Sequence, residues 1–240
     1  MLFRSKAGNG HYEFPLPLRD ENIHLPCNRK LAELRLNQLS RRFASNPRYK
    51  EDYVAFIEKK LDAGHAEKAP RQYKSAWYIP HHGVYHPKKP DKLRVVFDCS
   101  AEFQGHSLNR HLLQGPDMTN SLVGVLCRFR QEPIAFACDI EGMFHQVHVN
   151  EEHRGLLRFL SWDQGDTSKE PTEYRMTVHL FGATSSPGLA LRTAADDGAQ
   201  EFGENTVSFI KENFYVDDGL KSVPTEIGRA SCRERVYVLV

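Results

Sequence analysis

The sequence has no dense or regularly spaced set of cysteines. It contains five, and no two of them form a Cys-x-x-Cys pair: Cys27, Cys99, Cys127, Cys138 and Cys232. Small secreted domains that depend on disulfides carry closely spaced cysteines, and many zinc modules carry such pairs. The cysteine pattern therefore favours a reducing compartment.

Long apolar runs are also missing. No stretch approaches the roughly 20 apolar residues of a membrane-spanning helix. Arg4 and Lys6 near the N-terminus are not followed by the apolar segment of a signal peptide. We therefore expect a soluble intracellular protein, cytoplasmic, with no targeting signal and no membrane partner.

An excess of one charge is absent as well, since 32 Lys and Arg residues nearly balance 31 Asp and Glu residues. No overall field attracts a polyanion, so any contact with nucleic acid would need a local basic surface. With 240 residues, 40% of them hydrophobic, the chain can bury a core and form one large domain or two small ones.

Two segments near the N-terminus have the apolar period of amphipathic helices. In residues 28–43 one helix face, ending before Pro47, is predicted from Ala32, Leu36, Leu39 and Phe43. A second helix, with Gly64 as its left-handed cap, is predicted from Tyr53, Phe56, Ile57 and Leu61. The basic residues of these helices either face a nucleic acid or form a solvated surface; they are Arg35, Arg41, Arg42, Arg48, Lys59 and Lys60.

After Pro70 the pattern changes to period two. One strand is predicted with two faces, the first formed by Leu93, Val95 and Phe97 and the second by Arg94, Val96 and Asp98. Further strands are predicted at residues 134–139, which read as buried, 156–162 and 174–180, with a loop at 163–171 and a helix from Ser186 and Pro187 to about Gln200. Strands and helices do not alternate regularly, so the predicted class is α+β rather than a doubly wound parallel sheet.

The tetrapeptide Tyr-Val-Asp-Asp at residues 215–218 is the strongest local chemical signal. Neighbouring strand residues point to opposite faces, so a tight hairpin is needed before Asp217 and Asp218 can reach one site. Asp-Asp-Gly is also an ordinary surface turn, and this alternative stays open on these residues alone.

A third carboxylate, Asp139, ends the apolar run Ile-Ala-Phe-Ala-Cys-Asp. An unpaired buried carboxylate is costly, and a divalent cation shared with Asp217 and Asp218 would compensate for it. Two such ions are the usual apparatus for in-line phosphoryl displacement. The alternative is that Asp139 caps the turn at residues 140–143.

Six blocks in one order give a resemblance that covers roughly residues 10–223. They are YIPHHGV (78–84), LRVVFDCSA (93–101), SLNRHLLQGPD (107–117), DIEGMFHQV (139–147), FGATSSP (181–187) and YVDD (215–218). These blocks resemble the motifs of reverse transcriptases, most closely those of the BEL/Pao group of LTR retrotransposons. The resemblance implies a right-hand polymerase fold, here fingers and a partial palm with the thumb absent.

The resemblance also implies the ligands of the metal. Asp139, Asp217 and Asp218 are expected to be catalytic and, with the backbone carbonyl of Ile140, to bind two Mg²⁺ ions, with Mn²⁺ as an alternative. Hard oxygen donors of this kind suit magnesium. The expected partners are an RNA or DNA template with its primer and deoxynucleoside triphosphates.

The same resemblance assigns substrate-binding residues. Arg94, with Lys92 nearby, is expected to grip the triphosphate, because a guanidinium donates paired hydrogen bonds to phosphate. The amides of Gly142 and Met143 would also point at the triphosphate. The ring of Phe144 would exclude a 2′ hydroxyl, unless Phe144 is an ordinary core aromatic. The nucleotide pocket is completed by Phe181, Gly182 and Tyr215, with glycine at 182 leaving room for a base or sugar.

Three histidines, His81, His82 and His86, invite a zinc interpretation, but no cysteine or carboxylate stands at ligand spacing, so zinc is not expected. Two residues depart from the family pattern. Arg110 replaces a small acidic residue, and Gly142 is small and flexible for its position.

The predicted domains follow from the resemblance. Residues 1–70 form a helical region leading into the fingers, and residues 71–226 form the fingers and palm, truncated after YVDD. Residues 227–240 form a non-native tail, since IGRASCRERV is similar to a translated sequencing adapter. The predicted function is RNA-directed DNA polymerase. The alternative is a decayed or domesticated fragment that binds nucleic acid without catalysis, and a metal-dependent hydrolase lacks its usual motif spacing.

Overall fold

The computed structural model describes residues 5–6, 10–71, 76–114, 118–183 and 188–225. The chain divides into two compact units. The first unit contains residues 1–114 and 144–185, and the second contains residues 115–143 and 186–240. Each unit has its own hydrophobic core.

The described helices and strands mix along the chain, which confirms a mixed α and β protein. The helices are α1 (Arg29–Ser45), α2 (Pro47–Asp62), α3 (Leu108–His111), α4 (Leu122–Phe129), α5 (Gly188–Asp197), α6 (Ala199–Phe202) and α7 (Glu204–Asn213). The strands are β1 (Ser5–Lys6), β2 (Tyr12–Phe14), β3 (Ala66–Lys68), β4 (His81–His86), β5 (Lys89–Phe97), β6 (Ile134–Asp139), β7 (Val147–Val149), β8 (Arg158–Ser161), β9 (Thr172–Met176), β10 (Phe214–Tyr215) and β11 (Asp218–Val223).

Helix α1 buries the predicted apolar stripe. Its buried residues are Ala32, Leu36, Leu39 and Phe43. Spacing of three and four residues places these side chains on one side of the helix, against the core of the first unit. The prediction made from the period is confirmed.

Helix α2 has caps at both ends that the sequence encodes. Asn46 accepts a hydrogen bond from the Tyr49 amide, and Pro47 occupies the first turn. At the other end Gly64 has φ +68°, its amide bonds to Leu61, and the next amide bonds to Lys60. This pair of bonds is the Schellman motif, so the predicted glycine cap is confirmed.

Among the described residues, three sheets belong to the first unit. β4 and β5 form an antiparallel hairpin, β3, β9 and β8 form an antiparallel sheet in that order, and β1, β2 and β7 form a third sheet whose second pair is parallel. In β5 Leu93 and Phe97 are buried and Arg94 and Val96 are exposed, as period two predicts. The strand predicted at 156–162 is shorter, because residues 154–157 form a 3₁₀ turn before β8.

In the described part of the second unit, β10, β11 and β6 form an antiparallel sheet in that order. Its core joins Ile140 and Met143, after β6, to Phe209 and Ile210 of α7 and to Phe214 of β10. The sheet and this helix therefore fix the ends of β6 and of the β10–β11 hairpin.

Two sequence predictions for the second unit need comment. β6 has the predicted bounds, but it is only half buried, because Ala135, Ala137 and Asp139 are exposed. The expectation of a buried strand was therefore wrong for one of its faces. The helix start at Ser186 and Pro187 and the tail at 227–240 lie outside the described residues.

Across the described ranges, every helix is too short or too polar to cross a membrane.

Candidate functional site

The YVDD segment forms the predicted hairpin in the second unit. Phe214 pairs with Gly219 and Tyr215 pairs with Asp218, which leaves Val216 and Asp217 as a two-residue loop. Asp217 therefore lies at the hairpin tip, and Asp218 begins β11. The hairpin prediction is confirmed, with the turn centred one residue before the Asp-Asp pair.

The hairpin tip has an unusual backbone. Val216 has φ +59°, a conformation that a β-branched residue seldom adopts. Two-residue hairpin loops require a positive φ at their first position, and glycine or asparagine usually supplies it. A valine held there indicates local strain imposed by the surrounding structure.

Gly219 permits the close packing behind this tip. A Cβ at this position would lie 2.5 Å from Cys138 Sγ and 2.6 Å from the Phe214 ring. A side chain at position 219 would therefore require Cys138 or the Phe214 ring to shift. Sequence reasoning saw Gly219 only as part of a turn signal, and its packing role depends on the pairing of two distant strands.

The register of β11 against β6 brings the three carboxylates to one end of the sheet. Asp218 is directly opposite Asp139, and the Ile140 amide donates to the Asp217 carbonyl at 3.1 Å. Directly paired Cα atoms in antiparallel strands are about 4.5 to 5.5 Å apart. The hairpin thus places Asp217 and Asp218 beside Asp139, although about 80 residues separate them in sequence.

The environment of Asp218 shifts its pKa. Burial, and after it the charges of Asp217 and Asp139, raise the pKa of Asp218 above its ordinary value. Burial also raises the pKa of the neighbouring Cys138 thiol, which therefore stays protonated at neutral pH. The ionised donors at this end of the sheet are oxygen atoms that repel one another, a set that suits a hard divalent cation.

The side chains have not converged on one point. Within the described ranges, no group of three His, Cys, Asp or Glu side chains is positioned to hold a metal ion. Asp139 and Asp218 are exposed and Asp217 is half buried, so rotation about their side-chain bonds is not blocked by a packed core. The residues fit magnesium in their chemistry and backbone placement, and binding would require the carboxylates to reorient.

The turn after β6 holds three further predicted residues. The Met143 amide donates to the Ile140 carbonyl at 3.3 Å, so both of these backbone groups are engaged in the turn. Gly142 has φ +61°. Its departure from the family pattern has a local reason, because this turn requires the conformation that glycine adopts most easily.

Two predicted aromatic residues meet in the first unit. Phe144 is in the 3₁₀ turn Met143–Gln146 and is half buried. Its ring packs edge to face against Phe181, with centroids 5.0 Å apart and planes at 64°. Phe181 is 81% exposed. The pair therefore presents an accessible aromatic surface, unlike an ordinary core contact.

Gly182 has a structural reason to be glycine that differs from the predicted one. A Cβ there would lie 2.4 Å from the Phe97 carbonyl oxygen, at the end of β5. The Gly182 carbonyl also accepts a hydrogen bond from the Asn109 side chain at 3.0 Å. The backbone that leaves no room for a side chain at position 182 is therefore that of the protein itself, rather than a base or sugar.

The predicted phosphate-binding cations are on the β4–β5 hairpin. Lys92 and Arg94 are exposed, and Arg94 pairs with Val84 of β4. Tyr215, in the second unit, is half buried opposite Asp218. The site residues thus divide between the units, since Lys92, Arg94, Phe144, Phe181 and Gly182 belong to the first and Asp139, Ile140, Gly142, Met143, Tyr215, Asp217 and Asp218 to the second.

His81 has a structural role. It is buried, its Nδ1 accepts from the Tyr53 hydroxyl, and its Nε2 donates to the Leu160 carbonyl at 2.8 Å. Its neighbour His82 is exposed, because adjacent strand residues point to opposite faces. Arg110, the other departure from the family pattern, forms an ion pair with Glu102 at 2.9 Å.

Asn120 is a residue that sequence reasoning missed. Its side-chain amide donates to the carbonyls of Lys211, at 2.9 Å, and Phe214, at 2.8 Å. It therefore ties the segment before α4 to the junction of α7 and β10, directly behind the hairpin. No local pattern marks this role, because its partners are more than 90 positions away in sequence.

No protein-family model matches the chain, and no curated protein sequence matches it. Solved structures resemble it. A foamy viral protease-reverse transcriptase dRH in complex with double-stranded DNA aligns with a TM-score of 0.57 and 15% identity, over 94% of this chain and 33% of that one. The chain has a reverse-transcriptase-like fold. The foamy viral enzyme in complex with an RNA/DNA hybrid gives the same TM-score at 16% identity, over 94% of this chain and 25% of that chain.

A third structure, a mutant of the prototype foamy virus protease-reverse transcriptase, aligns with a TM-score of 0.56 at 16% identity, over 94% of this chain and 25% of that one. The chain thus spans about a quarter to a third of the length of these structures. At this level of identity the likeness shows the fold.

Proposed function

We propose that the chain is part of an RNA-directed DNA polymerase of the BEL/Pao type, which adds deoxynucleotides to a primer 3′ hydroxyl. One observation carries the proposal: Asp218 is paired with Asp139 across two strands, and Asp217 is at the adjoining hairpin tip. A reverse-transcriptase-like fold that places three carboxylates together supports metal-dependent phosphoryl transfer.

Each residue has a proposed task. Asp139, Asp217 and Asp218 would hold two Mg²⁺ ions, which would neutralise charge on the phosphate and on the attacking and leaving oxygens. Ile140 would add its carbonyl oxygen, whose second lone pair remains available beside the Met143 amide.

The residues of the first unit would select and orient the nucleotide. Arg94 and Lys92 are exposed cations suited to the triphosphate, and Phe144 carries a partly exposed ring suited to excluding a 2′ hydroxyl.

A second candidate is a nucleic-acid-binding protein without catalysis. This candidate is favoured by the positions of the carboxylate side chains. Within the described ranges, they are not arranged as a group of three that could hold a metal ion. The two candidates differ in whether the chain binds divalent ions at these residues and whether it supports extension.

The test compares metal binding with primer extension. Mn²⁺ binding to the chain is measured by the relaxation of water protons, and extension of a DNA primer on an RNA template is measured for the chain and for a fusion that adds the thumb of a related reverse transcriptase. Asp139→Asn should remove Mn²⁺ binding and lower extension by at least about a hundredfold, since a group that stabilises transition-state charge is lost. Template binding should stay nearly unchanged.

Glu201→Gln is the matched control, because it removes an exposed carboxylate of the second unit that is not on the sheet. Extension by Asp139→Asn within tenfold of the parent would contradict the metal assignment. A fusion that binds template but neither Mn²⁺ nor deoxynucleotides would support the second candidate.

A further inference from the structure

The last turn of helix α2 lies beside a pair of stacked histidines in the first unit. The Lys60 amine is 3.2 Å from Nε2 and 3.4 Å from Nδ1 of His145. The His145 ring in turn stacks on the ring of His65, with centroids 5.0 Å apart and planes at 9°. All three side chains are half buried. We call these three residues the Lys60 cluster.

Backbone structure fixes the members of the Lys60 cluster. The left-handed Gly64 ends α2 and turns the chain back, so that the His65 amide donates to the Lys60 carbonyl at 2.9 Å. The His65 carbonyl accepts the Thr177 amide at 3.0 Å, just after β9. His145 belongs to the 3₁₀ turn that leads into β7. The cluster is therefore assembled by a helix cap and a turn that are held by their own backbone bonds.

The Lys60 amine forms no ion pair with any residue that the structure describes. Its contacts there are the two ring nitrogens of His145, and the Phe56 ring has its centre 5.3 Å from Nζ. Glu58 and Asp62 are each two positions away on α2, and side chains at this spacing do not face each other on a helix. The amine is thus packed against rings rather than against a carboxylate.

The other titratable groups near the cluster are bases as well. Burial, and after it the positive charge of Lys59, lower the pKa of Lys60 below its ordinary value. Burial, and after it the charges of Lys60, His148 and His11, lower the pKa of His65. A positive charge on any of these groups disfavours a second one beside it. The cluster therefore favours the neutral form of the Lys60 amine.

His145 stays neutral beside this amine. Burial, and after it the charges of Lys60 and His65, lower the pKa of His145 to about 4. At neutral pH one nitrogen of its ring is therefore an acceptor, which can hold the amine by a hydrogen bond or take up a proton from it. A half-buried amine next to a proton acceptor is the arrangement that activates lysine as a nucleophile.

The surroundings of the amine also identify the class of reagent. A protonated lysine is disfavoured at this position, and acylation converts the amine into an amide that is uncharged at every pH. A Schiff base formed with an aldehyde would keep a nitrogen that can be protonated. Among acyl donors, a thioester combines an activated carbonyl carbon with a thiolate leaving group. The half-buried position favours a small acyl group.

We propose that Lys60 is a covalent modification site, which takes a small acyl group from a thioester while His145 positions the amine. The lone pair of Nζ forms a bond to the carbonyl carbon, the carbon–sulfur bond breaks, and the thiolate leaves with that electron pair. The proton lost by Nζ passes to the thiolate through His145, so the products are an amide and a free thiol. None of the residues of the proposed polymerase site takes part.

The test uses the whole chain and a small thioester, S-acetyl-N-acetylcysteamine, in EDTA near neutral pH. Cleavage after Glu58 and Glu67 releases residues 59–67, which contain both Lys59 and Lys60, and mass spectrometry of the fragments measures acetylation at each lysine. Lys60 should be acetylated at least about fivefold faster than Lys59, because a larger fraction of its amine is neutral. The rate at Lys60 should also reach half of its maximum at a lower pH.

Lys59 is the matched internal control, since it carries the same amine on the next residue and is exposed. In urea the two lysines should react at nearly equal rates, because the difference between them depends on the folded surroundings of Lys60. Equal rates in the folded chain would overturn the proposal. A difference that persists in urea would also overturn it, by assigning the reactivity to the local sequence.

Two variants test the positioning role of His145. His145→Phe keeps a flat ring against His65 but has no proton acceptor, so the rate at Lys60 should fall at least about threefold while the rate at Lys59 stays unchanged. His145→Gln, whose amide oxygen accepts a hydrogen bond, should retain most of the rate. An unchanged rate at Lys60 in His145→Phe, in a chain whose tryptophan fluorescence shows that it is folded, would overturn the assignment of His145.

Discussion

The two units differ in which ionisable groups they contain and in the direction in which the pKa values of those groups are shifted. All twelve histidines and both tryptophans belong to the first unit, while the second has none of either and carries the three grouped carboxylates. Burial lowers the pKa of His81, His145 and His179 to about 4. In the second unit, burial and neighbouring charge raise the pKa of Asp218.

This difference in pKa shifts predicts which unit loses stability in acid. An imidazole whose pKa is lowered on folding contributes stability above its ordinary pKa of 6.5, and this contribution is lost as the pH falls towards 4. A carboxyl group whose pKa is raised behaves in the reverse sense, and its contribution is complete below 3.8 and lost as the pH rises. Acid should thus weaken the first unit while relieving repulsion in the second.

The largest expected effect concerns His81. Its folded pKa of about 4 implies a loss of about 3 kcal/mol of stability between pH 6.5 and pH 4, at about 1.4 kcal/mol for each pKa unit. His81→Gln cannot take up this proton, so over the same interval its stability should fall by about 3 kcal/mol less than that of the parent chain, while the losses due to His145 and His179 remain. Urea unfolding followed by tryptophan fluorescence measures this, because Trp77 and Trp162 are both buried in the first unit.

His82→Gln is the control for this experiment, since the His82 side chain is exposed on the same strand. It should keep the pH dependence of the parent chain. An identical loss of stability in His81→Gln and the parent would show that other groups account for the acid sensitivity of the first unit.

The next effect concerns the nucleotide selection that we propose for the first unit. Phe144→Ala removes the ring proposed to exclude the 2′ hydroxyl, together with its edge-to-face contact with Phe181. The preference for deoxynucleotides over ribonucleotides should fall by at least about tenfold, or about 1.4 kcal/mol. Incorporation ratios in the thumb fusion measure it, and Phe144→Tyr, which keeps a ring, should retain the preference.

An unchanged ratio in Phe144→Ala, with tryptophan-monitored stability close to that of the parent, would return Phe144 to a packing role. The comparison between the units would then change as well. Selection could no longer be assigned to the aromatic pair of the first unit, and the carboxylates alone would carry the proposed chemistry.

Local sequence patterns predicted the structural elements that depend on interactions between residues close together in the sequence. The buried stripe of α1, the alternation in β5 and the cap at Gly64 depend on residues within a few positions of one another. The tight turn at YVDD belongs to the same class, because the chemistry of a hairpin loop is contained in its own residues.

Features that depend on distant partners could not be predicted in this way. The pairing of Asp139 with Asp218, the tether from Asn120 and the contact of Gly182 with Phe97 join segments that are 70 or more positions apart. No period in either segment encodes such a register. The exposed face of β6 escaped prediction for a related reason, since an apolar run is compatible with burial on one face or on both.

The smallest expected effect tests the second unit. Asp218→Asn removes one of three repelling carboxylates, so at neutral pH it should stabilise this unit slightly, by less than about 1 kcal/mol for an exposed group. The gain should vanish as the pH falls to 3.8, because Asp218 of the parent chain, whose pKa is raised, takes up its proton above that pH and loses the same repulsion. The second unit has no tryptophan, so its stability is measured by hydrogen exchange of the α7 amides. The exchange rates are compared between variant and parent at each pH.

Glu201→Gln, with the same change of charge on an exposed helix, should show no such gain. A gain of equal size at both pH values would mean that the amide stabilises the hairpin by some means other than relief of repulsion. Loss of stability in Asp218→Asn would mean that its carboxylate is held by favourable contacts. In that case the carboxylates would not need a cation to offset their charge, and the physical argument for a metal site at this end of the sheet would fail.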